Sequence, residues 1–208
     1  MDVQFYGANC LVIAGKQVRL VVDDNLSELG LKSVAKEGDI SLFTAAGAVG
    51  PEKSKLVIDE PGEYEVSGVS VYGIAARAHM DTEDKKTATM YKLIFDDTSI
   101  LIVGHVYPEL SDSQLEAIGM VDVMFVPVGG NGYTLDGIGA LKLVKKVEPK
   151  LIIPTHYDDP KIQFPVPQQP LDQALKALAM EPRETAGKLK LKGSELGEVA
   201  QLFVLERS

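Results

Sequence analysis

Apolar runs of two-residue period fill the first half of the chain, at residues 3–6, 10–14, 18–22, 40–43, 56–58, 64–66 and 69–76. Alternation of this kind predicts half-buried β-strands, since successive side chains of a strand point to opposite faces. Turn residues separate the runs, notably Ala14-Gly15-Lys16, Pro61-Gly62 and Ser67-Gly68. The last of these lies between two alternating runs, as a hairpin requires. A brief helix is expected within residues 27–36.

From residue 88 the rhythm changes. Two further β runs, 90–95 and 99–103, flank Asp96-Asp97-Thr98, and strands then alternate with helical periods. Ser111 opens a helix to residue 118, residues 121–126 read as a buried strand, 135–147 as the strongest helix, 151–154 as another buried strand and 171–180 as a third helix. The order of elements predicts an α/β fold. The proline-rich stretch from Phe164 to Pro170 is expected to be an ordered surface connection, because too little chain follows it to build a separate core. One domain over residues 1–208 is therefore expected. Both halves pass from strands to helices, yet no period or shared motif establishes an internal repeat.

Composition narrows the function classes. Of 208 residues, 45% are hydrophobic and 25% charged, which fits a globular chain and excludes disorder and fibrous folds. The net charge of −9 repels phosphate backbones and anionic lipid, so neither nucleic acid nor a membrane is an expected partner. Lys188, Lys190 and Lys192 alternate with Leu189 and Leu191 and read as the wet face of a strand. A single cysteine, Cys10, cannot form an internal disulfide, and nothing near Met1 reads as an export signal, so a cytoplasmic setting is expected. Cys10 lies in an apolar run without a basic neighbour and reads as a small buried hydrophobe.

The chemistry concentrates in three histidines. His79, His105 and His156 each follow an apolar β run. In layered α/β folds, ligand sites gather where loops leave the carboxyl ends of strands, so the three imidazoles are candidates for one shared site. The alternative is that each caps its own turn. Three imidazoles with an open fourth position would suit a single zinc-type ion, and Asp81, Asp158 and Asp159 lie close enough in sequence to supply oxygen ligands or orient the rings. Asp23 and Asp24 end another β run, where a carboxylate either orients a site or caps a turn. Gly129-Gly130-Asn131-Gly132, with Thr134 beside it, could present N–H groups to an anion or simply make a tight turn. The chain contains no Gly-x-Ser-x-Gly elbow, phosphate-binding Walker loop, His-Glu-x-x-His or Cys-x-x-Cys.

Several segments, in this order, resemble the metallo-β-lactamase superfamily, and within it the branch of ascorbate-6-phosphate lactonase-like proteins. They are Phe5-Tyr6-Gly7-Ala8-Asn9-Cys10-Leu11, Leu20-Val21-Val22-Asp23, and Pro61-Gly62-Glu63-Tyr64-Glu65-Val66-Ser67-Gly68. The most specific stretches are Val121 to Gly130 followed by Tyr133-Thr134-Leu135-Asp136, and Pro149-Lys150-Leu151-Ile152-Ile153-Pro154-Thr155-His156-Tyr157. The resemblance implies a four-layer αββα sandwich with a metal site at one edge, where loops of both sheets meet.

That site normally carries a His-x-His-x-Asp-His loop, and the corresponding segment here reads Thr44-Ala45-Ala46-Gly47-Ala48-Val49-Gly50. Aligned by the threonine, Ala45, Gly47, Val49 and Gly50 fall at the ligand places, and none offers a side-chain lone pair. The resemblance also places His79 and His156 at later ligand positions and His105 at that of a bridging aspartate. Two functional expectations follow. One is a ligand-binding or assembly protein on a degenerate metal site, with no cofactor and an unidentified small molecule or protein as partner. The other is a mononuclear metal-dependent hydrolase of a phosphoester or lactone, in which His79, His105 and His156 hold the ion and Asp81 or Asp158 receives a proton. Metal-free acid–base work by the same histidines is a third class. Exposed sheet edges are compatible with a homo-oligomer.

Overall fold

Side-chain alternation sorts the strands into two sheets in the computed structural model, which describes residues 1–48, 53–192 and 195–208. The smaller sheet holds β1 (Asp2–Gly7), β2 (Cys10–Ala14), β3 (Arg19–Val22), β4 (Ile40–Leu42), β5 (Leu56–Ile58) and, at its far edge, β13 (Leu189–Lys190), in the order β13-β1-β2-β3-β4-β5. The larger holds β6 (Gly62–Val66), β7 (Val69–Ala76), β8 (Ala88–Phe95), β9 (Thr98–Ile102), β10 (Val123–Pro127), β11 (Leu151–Thr155), β12 (Pro182–Ala186) and β14 (Gln201–Leu205). Its order is β12-β14-β11-β10-β9-β8-β7-β6. Both sheets are mixed, with parallel pairing at β3/β4, β4/β5, β9/β10, β10/β11, β11/β14 and β12/β14.

The two-residue period decides which face each side chain serves. In β3, Leu20 and Val22 enter the core between the sheets, while Val21 faces the opposite way to pack with Cys10, Val12 and Leu26. In β9, Ile100 and Ile102 join the inter-sheet core, while Leu101 packs beneath the helices. The helices α1 (Asp112–Ile118), α2 (Gly137–Val147) and α3 (Leu171–Leu178) all cover the larger sheet, burying Ile118, Leu143 and Leu178 against it. Ser111 caps α1 in a reciprocal box with Gln114, and the Asp136 side chain caps α2. This is the α/β fold that the element order predicts, with the two face-to-face sheets that the family resemblance implies. No helix among the described residues is long and apolar enough to cross a membrane.

Several segments depart from the expected elements; the second and third helices, expected over 135–147 and 171–180, run only over Gly137–Val147 and Leu171–Leu178. The helix anticipated in residues 27–36 is only a 3-10 turn over Leu26–Leu29, ended by Gly30 at φ +80°. Beyond it one Asp24 carboxylate oxygen accepts from Ser33 Oγ and from the N–H groups of Val34 and Ala35, which holds the chain in a loop. The alternation around Lys188–Lys192 gives a strand of two residues, with Lys188 paired to Asp2. The strands β12 and β14 carry no expectation from the pattern. Their pairing is long-range, and β12 is a polar edge strand.

Topology gathers one set of strand exits. Since β7 and β9 both run antiparallel to β8, and β9, β10 and β11 are mutually parallel, the carboxyl ends of all four leave the larger sheet on the same side. In the smaller sheet the β1–β2 turn and the ends of β3 and β4 likewise share one side. Backbone bonds join these exits across the sandwich: His156 N–H donates to Ala8 O at 2.8 Å, and Thr89 N–H to Thr44 O at 2.8 Å.

Candidate functional site

A cavity of about 300 Å³ opens where the exits meet, and Asp23, Thr44, His105, Tyr133 and His156 line it. Ala8, Asp23 and His156 each adopt a left-handed backbone, at φ +48°, +46° and +56°. Non-glycine residues rarely do so, and such conformations collect at functional sites. Gly104 makes the close approach of the sheets feasible. A Cβ there, at φ +66°, would stand 2.5 Å from Thr44 Cβ.

The Asp23 carboxylate is 7% exposed. Its two oxygens accept from Thr44 N–H at 2.7 Å and Thr44 Oγ1–H at 2.7 Å. Burial pushes the Asp23 carboxyl up to about 6, against the pull of both Thr44 bonds. Next to it on the cavity wall, Asn9 accepts a 2.8 Å bond from the Thr155 hydroxyl, which orients its amide. The Asn9 Nδ2 group is left buried without a partner.

The His105 and His156 rings meet edge to face with centroids 4.6 Å apart. Tyr133 lies 5.1 Å from His105, and Phe164 lies 4.9 Å from His156. Burial lowers His156 to about 4, partly offset by its bond with Gln168. Burial and the neighbouring His156 lower His105 to about 3, so both imidazoles are neutral at pH 7. The tautomer of His156 follows from its neighbour. Gln168 Nε2 donates to Val166 O, which leaves Oε1 as the acceptor facing His156 Nδ1 at 3.1 Å. Nδ1 therefore carries the proton and Nε2 the lone pair. Gly129 permits this contact, since a Cβ there would lie 2.0 Å from Gln168 Oε1.

The remaining sequence-derived candidates are placed as follows. His79 N–H donates to His105 O at 2.7 Å, so the two histidines adjoin through the backbone, but His79 is not among the residues that line the cavity. Asp81 closes its own loop, accepting from Ala78 N–H, Thr87 N–H and Thr87 Oγ1. Asp158 is exposed, and Asp159 pairs with Arg207. The Gly130 N–H is taken by Leu135 O, which makes the glycine cluster a tight turn and leaves that N–H unavailable to an anion. Thr134 is buried with its hydroxyl unpartnered. Ala45, Gly47 and their neighbours Ala46 and Ala48 line the cavity, whereas Val49 and Gly50 lie outside the described residues. Asn9, Glu28, Tyr133, Phe164 and Gln168 were not anticipated. The one legible signal was Gln168 held between Pro167 and a following proline two residues on, a rigid frame for a buried polar side chain.

Residues 2–156 match the family model described as the beta-lactamase superfamily domain. The chain belongs to the beta-lactamase superfamily. Among curated relatives, a protein of Enterococcus faecalis named a UPF0173 metal-dependent hydrolase is 33% identical over 128 residues, covering 59% of this chain and 49% of the relative. The aligned region thus spans about half the length of that relative. Solved structures show the same fold. One is a putative Zn-dependent hydrolase of the metallo-beta-lactamase superfamily from Thermotoga maritima, with TM-score 0.75, 24% identity and coverage of 99% of this chain and 98% of that one. Another is Igni18, a metallo hydrolase from Ignicoccus hospitalis, with TM-score 0.63, 16% identity and coverage of 99% and 95%.

The superfamily's metal can be tested against the donors in place. Among the described residues, no three His, Cys, Asp or Glu side chains stand together as an ion would require. Asp23 and the His156 Nε2 keep lone pairs, but His79 lies off the cavity wall and residues 45–48 carry no side-chain donor, so too few ligands converge. The donor set as arranged does not fit such a centre.

Proposed function

We propose that this protein is a ligand-binding member of the superfamily, non-catalytic or acting in an assembly, that holds a small molecule in the cavity beside His105 and His156. One observation carries the reading. The wall formed by residues 45–48 offers three methyl groups and a glycine in the site that both imidazoles line. Such a wall supplies shape and backbone polarity and gives no side-chain ligand to a bridging pair of ions. The two buried neutral imidazoles, with the tautomer of one pinned, make hydrogen-bonding anchors for an organic ligand.

Elemental analysis of protein purified without chelator, beside the His156→Ala variant, tests this. Metal well below one equivalent, unchanged by the substitution, is expected. A stoichiometric ion lost in the variant would overturn the reading and favour a mononuclear hydrolase built on His79, His105 and His156.

A further inference from the structure

We infer that the cavity takes a small organic ammonium ion, held by the Asp23 carboxylate and flanked by aromatic rings. This rests on the ligand-binding reading above and names the ligand class. Asp23 and Glu28 bring two carboxyl groups to the cavity, and among the described residues no lysine or arginine lines it. The Asp23 carboxyl is buried with hydrogen bonds from Thr44 alone and no cationic partner. Burying a carboxylate without an opposite charge is costly, and a cationic ligand would remove that cost. Each carboxylate oxygen accepts one Thr44 bond and keeps a further lone pair for an N–H donor.

The walls suit the same guest. Phe43, Tyr133 and Phe164 line the cavity together with the two imidazoles, and the faces of such rings attract an ammonium group. Glu28, exposed at the mouth, adds negative charge beside Tyr133, whose hydroxyl it helps to push above its ordinary value. An anionic substrate such as a phosphoester would meet two acids and no positive side chain. The cavity volume of about 300 Å³ limits the guest to roughly one ring and a short arm.

Calorimetric titration of the full chain with benzylammonium, benzyl alcohol and benzoate at millimolar concentration and pH 7.5 separates charge from shape. The ammonium is expected to bind about tenfold more tightly than the alcohol, with benzoate weakest. Asp23→Asn should abolish that preference, and Glu28→Gln, an exposed change that spares the core, should weaken ammonium binding about threefold. Benzoate or the alcohol binding as well as the ammonium would overturn the inference while leaving the ligand-binding reading intact. Failure of all three to bind would also overturn it. The ligand-binding reading itself falls only to the metal analysis. Should Asp23→Asn not fold, the order of the three probes and the Glu28→Gln result decide the question alone.

Discussion

Asp23 and Thr44 form a two-point clasp. The carboxylate at the end of β3 accepts both the backbone N–H and the hydroxyl of the residue that follows β4 by two positions, each at 2.7 Å. Both residues are buried, at 7% and 2% exposure, so the clasp locks the neighbouring exits of β3 and β4 into one wall of the cavity. Hydrogen bonds to a charged acceptor are the stronger kind. Thr44→Val should therefore cost about 2 kcal/mol, read as a lower denaturant midpoint with unchanged slope. A loss below a few tenths of a kcal/mol would mean that the hydroxyl bond contributes nothing net.

Stability should depend on pH through opposing groups at the same site. His156 drops from 6.5 to about 4 on folding, and His105 to about 3. The unfolded chain thus binds more protons below pH 6.5, and these histidines destabilise the fold as pH falls through that window. For His156 alone the loss is about 3 kcal/mol once pH is below 4. Asp23, raised from 3.8 to about 6, has the opposite sign: the native state holds its proton longer, so Asp23 costs stability above about pH 6 and not below 3.8. Around this group the titratable neighbours include the adjacent Asp24, His105, His156, Cys10, Tyr91, Tyr133 and Glu28. Chemical denaturation at pH 7 and pH 4.5 should show a net acid loss of stability. His156→Gln should flatten it, and Asp23→Asn should steepen it. An acid loss that His156→Gln leaves unchanged would show that this ring is not the cause.

Gln168 reports on the His156 tautomer. Nitrogen NMR of the imidazoles should find His156 protonated at Nδ1 near neutral pH, because the Gln168 amide presents oxygen to it. Gln168→Glu would put an acidic partner there and should move the His156 pKa upward, by one unit or so. A proton found on Nε2 in the native protein would invert the assignment.

Gly104 is a steric requirement of the inter-sheet contact. Gly104→Ala places a methyl 2.5 Å from Thr44 Cβ on a left-handed backbone at φ +66°. The clash and the backbone strain together should cost about 3 kcal/mol in an unfolding titration. Gly68→Ala, at φ +80° with nothing within 4 Å of the added carbon, carries the backbone strain alone and should lose less. Equal losses would show that the Thr44 contact is unimportant.

What the chain itself determined is local. Strands of three to eight residues were legible because the two-residue period is a property of each segment: β2, β5 and β7 begin and end where the alternation does. Only α1 was legible from its cap, Ser111, which the structure completes as a capping box with Gln114; α2 and α3 were legible from their apolar period. The position of His105 and His156 after buried parallel strands was also written in the sequence. Which groups those histidines meet was decided only by the tertiary structure. The Asn9 to Thr155 bond spans 146 positions, Asp23 reaches Thr44 across a parallel strand pair, and Gln168 reaches His156 by the folding back of a proline-rich loop. Nothing local encodes such meetings, because sheet register and the packing of two sheets set them together. The same reason explains why His79 shares a backbone bond with His105 yet stays off the cavity wall: sequence places a residue at a strand exit, and only the packed sheets decide which way its ring can turn.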